Sequence, residues 1–311
     1  MSNLLSTTPT SAYHAARWVI VDKVSHPNHV VSAQSSRQNV TFEKYTSGHQ
    51  SLGIFMDYRH YDCLLDSFPH ASIKLTNYAK AHSNIHVIFV GDSTIRLQAI
   101  LFQSVFPKIK MTFVSTNGGI VEKMENVTST LQSLVQDDKN ERRFILFNTG
   151  LHDVDQLCVH ARVMLEARRK RLGLDPNFSC TAKYRTFLHQ LVDFIDQYPA
   201  ELKIFVSTTA GWSRYGVFDV EWPPNVTQSA VLSSNLVAHF NEIAYQVVQN
   251  FKDIRVLDAY WLSLAWPDNR EIGFVGNLPK HLIHPGSDVV TAMVNNWIHV
   301  LLQHLSMMTD E

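Results

Sequence analysis

A serine, a histidine, two glycines and an asparagine are the residues of this chain whose types and spacing point to chemistry. Ser93 follows Gly91-Asp92 at the end of the apolar run Val87-Ile88-Phe89-Val90. His284 lies in His281-Leu282-Ile283-His284-Pro285, ahead of a long apolar-periodic segment. Between them come Asn117-Gly118-Gly119 and the block Phe147-Asn148-Thr149-Gly150-Leu151-His152-Asp153. Acyl transfer by a hydroxyl needs a nucleophile, a base to take its proton, donors for the oxyanion, and an acid to orient the base. Ser93 is the candidate nucleophile and His284 the candidate base. The backbone N–H groups of Ser93 and Gly118 and the side-chain amide of Asn148 are the candidate oxyanion donors. Each residue also has an ordinary reading: Ser or Asp before a helical pattern is a helix N-cap, Gly118 a turn glycine, Asn148 a loop cap.

These residues need a frame that brings them together. Five short apolar runs read as strands: Val87 to Val90, Met111 to Val114, Phe144 to Phe147, Ile204 to Ser207 and Ile254 to Leu257. Helical patterns alternate with them at Thr94 to Val105, Glu122 to Val135, Thr181 to Tyr198 and Ala230 to Asn250, and a last one runs from Pro285 to about Leu305. A further helix is expected from Cys158 to Gly173, its Arg168-Arg169-Lys170-Arg171 cluster a solvated face. Strand–helix alternation with near-continuous apolar strands predicts a parallel sheet covered on both faces. In such a sheet the loops after the strands converge at their carboxyl ends, where Ser93, Gly118 and Asn148 would all lie. Pro285, read as a first helical residue, would put His284 at a helix start facing that edge.

Composition leaves this frame undisturbed. The chain has 311 residues, 45% hydrophobic and 18% charged, with a formal net charge of −1, which gives no bulk attraction to nucleic acid or an anionic membrane. No apolar run reaches the roughly 18 to 20 residues that span a bilayer, and residues 1–13 lack the pattern of a signal peptide. The organisation expected is an N-terminal extension or flap over residues 1–80, with a strand from Arg17 to Val24 and many aromatics, and a catalytic domain over residues 81–311. Cys63, Cys158 and Cys180 make no metal-binding spacing, though Cys158 and Cys180 are a candidate disulfide pair. Sequons at Asn39, Asn126, Asn177 and Asn225 favour a secretory-lumen or extracellular setting, and the missing leader favours the cytoplasm.

The blocks Gly91-Asp92-Ser93-Thr94-Ile95-Arg96, Gly118-Gly119, Phe147 to Asp153 and the histidine before a terminal helix resemble those of the SGNH, or GDSL-type, hydrolase superfamily. The nearest likeness is to its PC-esterase branch: neurexophilin-and-PC-esterase-domain proteins, sialate O-acetyltransferases and the plant trichome-birefringence-like O-acetyltransferases. The resemblance covers about residues 86–305. It implies an α/β, flavodoxin-like three-layer sandwich with a five-stranded parallel sheet, a serine nucleophile, and esterase or acetyltransferase chemistry on glycan hydroxyls. One departure stands out. The family's last block is D-x-x-H, whereas this chain reads His281-Leu282-Ile283-His284. The orienting acid is then replaced by a backbone carbonyl, by Asp258 or Asp268, by His281 itself, or is lost in a disabled enzyme.

Three further residues are candidate substrate contacts. Arg96 follows Ser93 on the same helix face and can meet an acyl oxygen or a carboxylate. His152 neighbours Asp153 as a second base–acid pair, and Trp212 can stack on a sugar ring. A zinc site from His152, His281 and His284 is the metal alternative, weakened by Pro285 and the lack of acidic or thiol partners. The function expected is a serine-dependent O-acyl esterase or O-acetyltransferase on carbohydrate, with no cofactor and with an acetyl donor as a further partner. The alternatives are a glycan-binding or scaffolding protein on the same fold, and a lipid or thioester hydrolase.

Overall fold

The computed structural model describes residues 16–21, 55–60, 68–82, 84–137, 140–154, 156–157, 170, 179–210, 234–264, 270–275 and 278–307. The expected helix from Cys158 to Gly173, apart from Lys170, as well as Trp212, Asp268, and the sequons at Asn39, Asn177 and Asn225, lie outside these residues. In chain order the elements are β1 (Ala16–Val21), β2 (Phe55–His60), α1 (Phe68–Ala81), β3 (Ile85–Gly91), α2 (Ser93–Val105), β4 (Lys110–Ser115), α3 (Ile120–Asp137), β5 (Arg142–Phe147), α4 (Leu151–Val154), α5 (Cys180–Gln197), β6 (Leu202–Val206), α6 (Ser234–Val248), β7 (Ile254–Leu257), α7 (Ala259–Leu264), β8 (Arg270–Val275), β9 (Leu278–Pro285) and α8 (Ser287–Met307).

Five strands form one parallel sheet in the order β4-β3-β5-β6-β7. The sheet begins with β3, steps outward to β4, then crosses back to β5, so the loops after β3 and β5 leave in opposite directions. That reversal opens a crevice at the carboxyl edge of the sheet, the place where ligands bind in doubly wound folds. The strand order and the two helical layers are those of a flavodoxin-like sandwich.

Apolar side chains alternate between the two faces because successive residues of a strand point to opposite sides. Ile88, Val90, Ile145, Phe147 and Phe205 pack under α3, α5 and α6, with Val127, Leu131, Tyr184, Leu188 and Phe240 as the helix contributions. Val87, Phe89, Phe144, Leu146 and Ile204 pack against α1, α2 and α8, through Leu75, Phe102, Trp297 and Leu301. Both faces are therefore dry. Each large apolar side chain buried this way contributes roughly 1.5 to 3 kcal/mol, and the sum holds the carboxyl-edge loops against a rigid base. The far edge is fastened by polar groups: His86, wholly buried, lies 2.8 Å from Glu141 through Nδ1 and 2.9 Å from Thr112 Oγ1 through Nε2.

One expectation is corrected by this arrangement. The terminal helix begins at Ser287, not Pro285; Pro285 instead ends β9, the second strand of an antiparallel β8-β9 hairpin. A proline ends a strand as readily as it starts a helix, because its fixed φ suits both. Helix α1 contributes Ala71 and Leu75 to the cluster around Trp297, so the boundary expected at residue 80 falls inside a helix of the packed body. Strands β1 and β2 pair antiparallel with each other. Among the described residues no helix is long and apolar enough to cross a membrane.

Candidate active site

The turn from β3 into α2 is built around Asp92. Its backbone is extended, at φ −84° and ψ −163°, and its Oδ1 accepts from Thr94 N–H at 2.9 Å and from Thr94 Oγ1 at 2.7 Å. This is an N-cap, which satisfies donors that a helix start otherwise leaves orphaned. Ser93 is then the first helical residue, beside the positive end of the α2 dipole. Asp92 is thus the cap and Ser93 is not, which releases the serine hydroxyl for other partners.

Ser93 Oγ lies 2.7 Å from His284 Nε2, across 191 residues of sequence. The hairpin that carries His284 has a register irregularity at this point: the step from Ile272 to Arg270 on β8 is matched by the longer step from His281 to Pro285 on β9. A bulge re-aims side chains that strict alternation would fix, and the bulged stretch contains His284. The backbone of His281 pairs with Ile272, while its side chain lies outside the described ones.

Two neighbouring loops are stitched onto the end of β3. Thr116 N–H donates to Gly91 O at 2.7 Å, and Asn148 N–H donates to Val90 O at 2.9 Å. The first bond brings in the glycine turn after β4, where Gly118 and Gly119 have φ of +98° and +88°. Residues with a Cβ rarely adopt that region, so both positions call for glycine. Gly119 also has no room: a Cβ there would lie 2.9 Å from Asp153 Oδ1. Among the described residues the backbone N–H groups of Ser93 and Gly118 have no acceptor, so one donor remains open at the start of α2 and one in the glycine turn after β4.

Asn148 departs from its expected role. Its Oδ1 accepts from Asp92 N–H at 3.1 Å, and its Nδ2 donates to Asp92 Oδ1 at 3.2 Å and to Thr94 Oγ1 at 2.8 Å. Both amide protons are spent inside the turn. Asn148 therefore braces the nucleophile's turn from below and has no proton left to offer an oxyanion.

Asp153 was expected only as a partner of His152, and does something else. Its Oδ1 accepts from Ile120 N–H at 2.7 Å, which caps α3 and clamps the glycine turn against the loop after β5. The carboxyl is fully enclosed, and burial pushes its pKa up to about 7, against the pull of the Ile120, Val121 and Gly150 N–H groups and with a further push from Asp92. No sequence spacing announces such a clamp, because the partner is a backbone N–H in another loop.

The remaining candidates fall as follows. Arg96 is exposed, one turn beyond Ser93, with no side-chain partner among the described residues. His152 is half-buried, and its backbone carbonyl lies close under Gly119. Asp258 is not turned to His284: its Oδ1 accepts from Ser207 Oγ and from Trp261 N–H, both at 3.2 Å, which commits it to the start of α7. Burial pushes its pKa up to about 6. Among the described residues no group of three His, Cys, Asp or Glu side chains is gathered as for a metal ion. Cys180, first residue of α5, is disulfide-bonded to a partner outside the described residues.

The arrangement offers a hydroxyl at a helix start, an imidazole at hydrogen-bond distance from it, and two open backbone N–H donors on adjoining loops. Compared with known proteins, the chain matches no family model and no curated protein.

Proposed function

We propose that the chain is a serine-dependent O-acyl esterase or O-acetyltransferase acting on carbohydrate hydroxyls. The observation that carries the proposal is the 2.7 Å approach of Ser93 Oγ to His284 Nε2 at the carboxyl edge of a parallel sheet. The likeness of residues 91–96, 118–119 and 147–153 to SGNH and PC-esterase blocks supports it further, and that likeness is the reason for choosing glycan acetyl esters as the substrate class.

In the proposed mechanism Ser93 donates its proton to Nε2, which requires the tautomer with the other proton on Nδ1. The alkoxide oxygen attacks the acetyl carbonyl, and the oxyanion that forms is met by the N–H groups of Ser93 and Gly118. The imidazolium returns the proton to the departing sugar oxygen, leaving an acetyl-serine. Water or a second sugar hydroxyl then attacks that ester, with His284 again taking the proton; the bond from the acyl carbon to Ser93 Oγ breaks and the imidazolium returns the proton to Oγ. Hydrolysis and transfer share the acyl-enzyme and differ only in the acceptor admitted. His281 stands where the resembled family has an acid. Loss of such an acid costs up to roughly 10⁴-fold in rate, so slow turnover is the expectation. The disulfide at Cys180 and the sequons support an oxidising, secretory setting.

The test is release of chromophore from an acetyl ester by the parent, Ser93→Ala and His284→Ala proteins, with folding matched by circular dichroism. Loss of at least roughly 10³-fold in both variants is expected. A parent no faster than Ser93→Ala, and unlabelled by a serine-directed phosphonate, would sink the enzyme reading in favour of a glycan-binding protein.

A further inference from the structure

Helix α3 carries the sequence Asn126-Val127-Thr128, with Asn126 on its exposed face. We propose that Asn126 is an N-glycosylation site, filled before α3 folds by an oligosaccharide carried on a polyprenyl diphosphate.

Three observations carry this. The first is orientation. Val127 is wholly buried under the sheet while Asn126 is exposed, so the asparagine amide points away from the packed layer. The second is surroundings. Glu125, Ser129, Gln132, Ser133 and Gln136 are exposed along the same helix, a set of short or neutral polar side chains with one acid and no cation. Glu122 and Lys123, one turn earlier, are half-buried, and among the described residues none of the exposed side chains just named is in an ion pair. The third is compartment. Cys180 is disulfide-bonded, as is usual where oligosaccharide transfer also takes place and unusual in a reducing cytosol.

The timing follows from helix geometry. A transferase must engage the amide of Asn126 and the hydroxyl of Thr128 together. In a helix, residues two apart lie about 200° around the axis and do not face each other. Here Thr128 Oγ1 is moreover folded back onto Met124 O at 3.0 Å and Glu125 O at 3.1 Å. In an extended chain residues two apart share a face. The transfer therefore precedes α3. In that step Asn126 Nδ2 bonds to the anomeric carbon of the first sugar, the carbon–oxygen bond to the diphosphate breaks, and the lipid diphosphate leaves with the electron pair. The lost amide proton goes to the transferase's base.

The experiment is expression of the full chain behind a secretory leader in eukaryotic cells, followed by peptide N-glycosidase treatment in heavy-oxygen water and peptide mapping. The expected result is heavy-oxygen aspartate at position 126, lost in Asn126→Gln and Thr128→Ala but kept in Thr128→Ser. Purified folded protein made in bacteria should accept no glycan at 126 from an added transferase and donor until it is unfolded. An unlabelled Asn126 peptide, whether or not the peptides of Asn39, Asn177 or Asn225 carry label, overturns the proposal. Modification of the folded bacterial protein overturns the stated order of events.

Discussion

Asn148 and Asp92 hold each other by two hydrogen bonds, Asp92 N–H to Asn148 Oδ1 at 3.1 Å and Asn148 Nδ2 to Asp92 Oδ1 at 3.2 Å. The pair is 1% exposed on each side, so neither residue can exchange its partner for bulk water. The turn that presents Ser93 is fixed from beneath by a side chain 56 residues away in sequence, and that makes the bracing testable apart from chemistry.

Asn148→Asp is the sharpest substitution. It keeps the shape but replaces the donating amide by an acceptor facing the Asp92 carboxylate. Unfolding free energy is expected to fall by roughly 3 to 5 kcal/mol near pH 7 and to recover as the pH drops into the carboxylate range. Asn148→Ala leaves the Asp92 N–H buried without its partner and should cost about 2 to 4 kcal/mol. Urea titrations at pH 4.5 and 7 decide it. An Asn148→Asp protein as stable as its parent at pH 7 would show that the amide does not hold the turn.

Gly91 tests the same contact from the other side. A Cβ at this position would lie 2.0 Å from Asn148 Oδ1 and 2.8 Å from Ile95 Cβ. The backbone there is not left-handed, so the penalty of Gly91→Ala is steric. A loss of at least about 2 kcal/mol is expected. Because the closest atom belongs to Asn148, the double variant Gly91→Ala/Asn148→Ala should be more stable than the two single losses predict, by more than about 0.5 kcal/mol. Strict additivity in the cycle would place the clash elsewhere.

The sheet was legible because its five strands are continuous apolar runs closed by turn residues, and the meeting of Ser93 with His284 followed from their positions after the first strand and before the last helix. Other features carry weaker signals. Pro285 fits a helix start and a strand end equally well, so the β8-β9 hairpin, and with it the true mounting of His284, was invisible. Asn148 sits where expected, but whether its amide turns up to a ligand or down to Asp92 is decided by a few ångströms of packing. The Asp153 clamp had no motif, since Ile120 offers only its backbone. Helix α1 has just Ala71 and Leu75 fully buried, too narrow a stripe to read against its polar neighbours.

Trp297 joins the two helices that flank β3. It is wholly buried, with its ring 5.6 Å from Phe89 in an edge arrangement and 5.1 Å from Phe102. Its Nε1 has no acceptor among the described residues. Trp297→Ala should cost about 3 to 5 kcal/mol through the cavity it leaves. Trp297→Phe removes ring volume but also an unpaired buried donor, whose burial is itself unfavourable by about 1 to 3 kcal/mol. The two nearly offset, and a net change below about 1.5 kcal/mol is expected by denaturant unfolding. A Phe variant as damaged as the Ala variant would mean that the indole N–H has a partner.

Asp153 makes stability depend on pH in a direction opposite to a salt-bridged acid. Its folded pKa, about 7, lies above the roughly 3.9 of an aspartate in an unfolded chain, because burial disfavours the carboxylate more than its backbone donors favour it. Between those values the folded state binds a proton that the unfolded state has lost, so unfolding free energy falls as pH rises. The contribution is fully present below about pH 4 and is gone once the pH has passed through 7, a change on the order of 4 kcal/mol. Asp258, with a folded pKa of about 6, adds a slope of the same sign that ends one pH unit earlier. From pH 6 to 7 the falling slope belongs mainly to Asp153 and is superposed on a rising one from His86 and His304, whose pKa values burial lowers. Asp153→Asn keeps an oxygen for Ile120 N–H while removing the titration, so the falling component should vanish from that interval, whereas Asp258→Asn should lose it only in the lower interval. Urea midpoints measured from pH 4.5 to 8 for the parent and both variants separate the two carboxyls. A parent whose slope from pH 6 to 7 equals that of Asp153→Asn would mean that Asp153 is ionised in the fold, and the clamp would then be a carboxylate held by its three N–H donors.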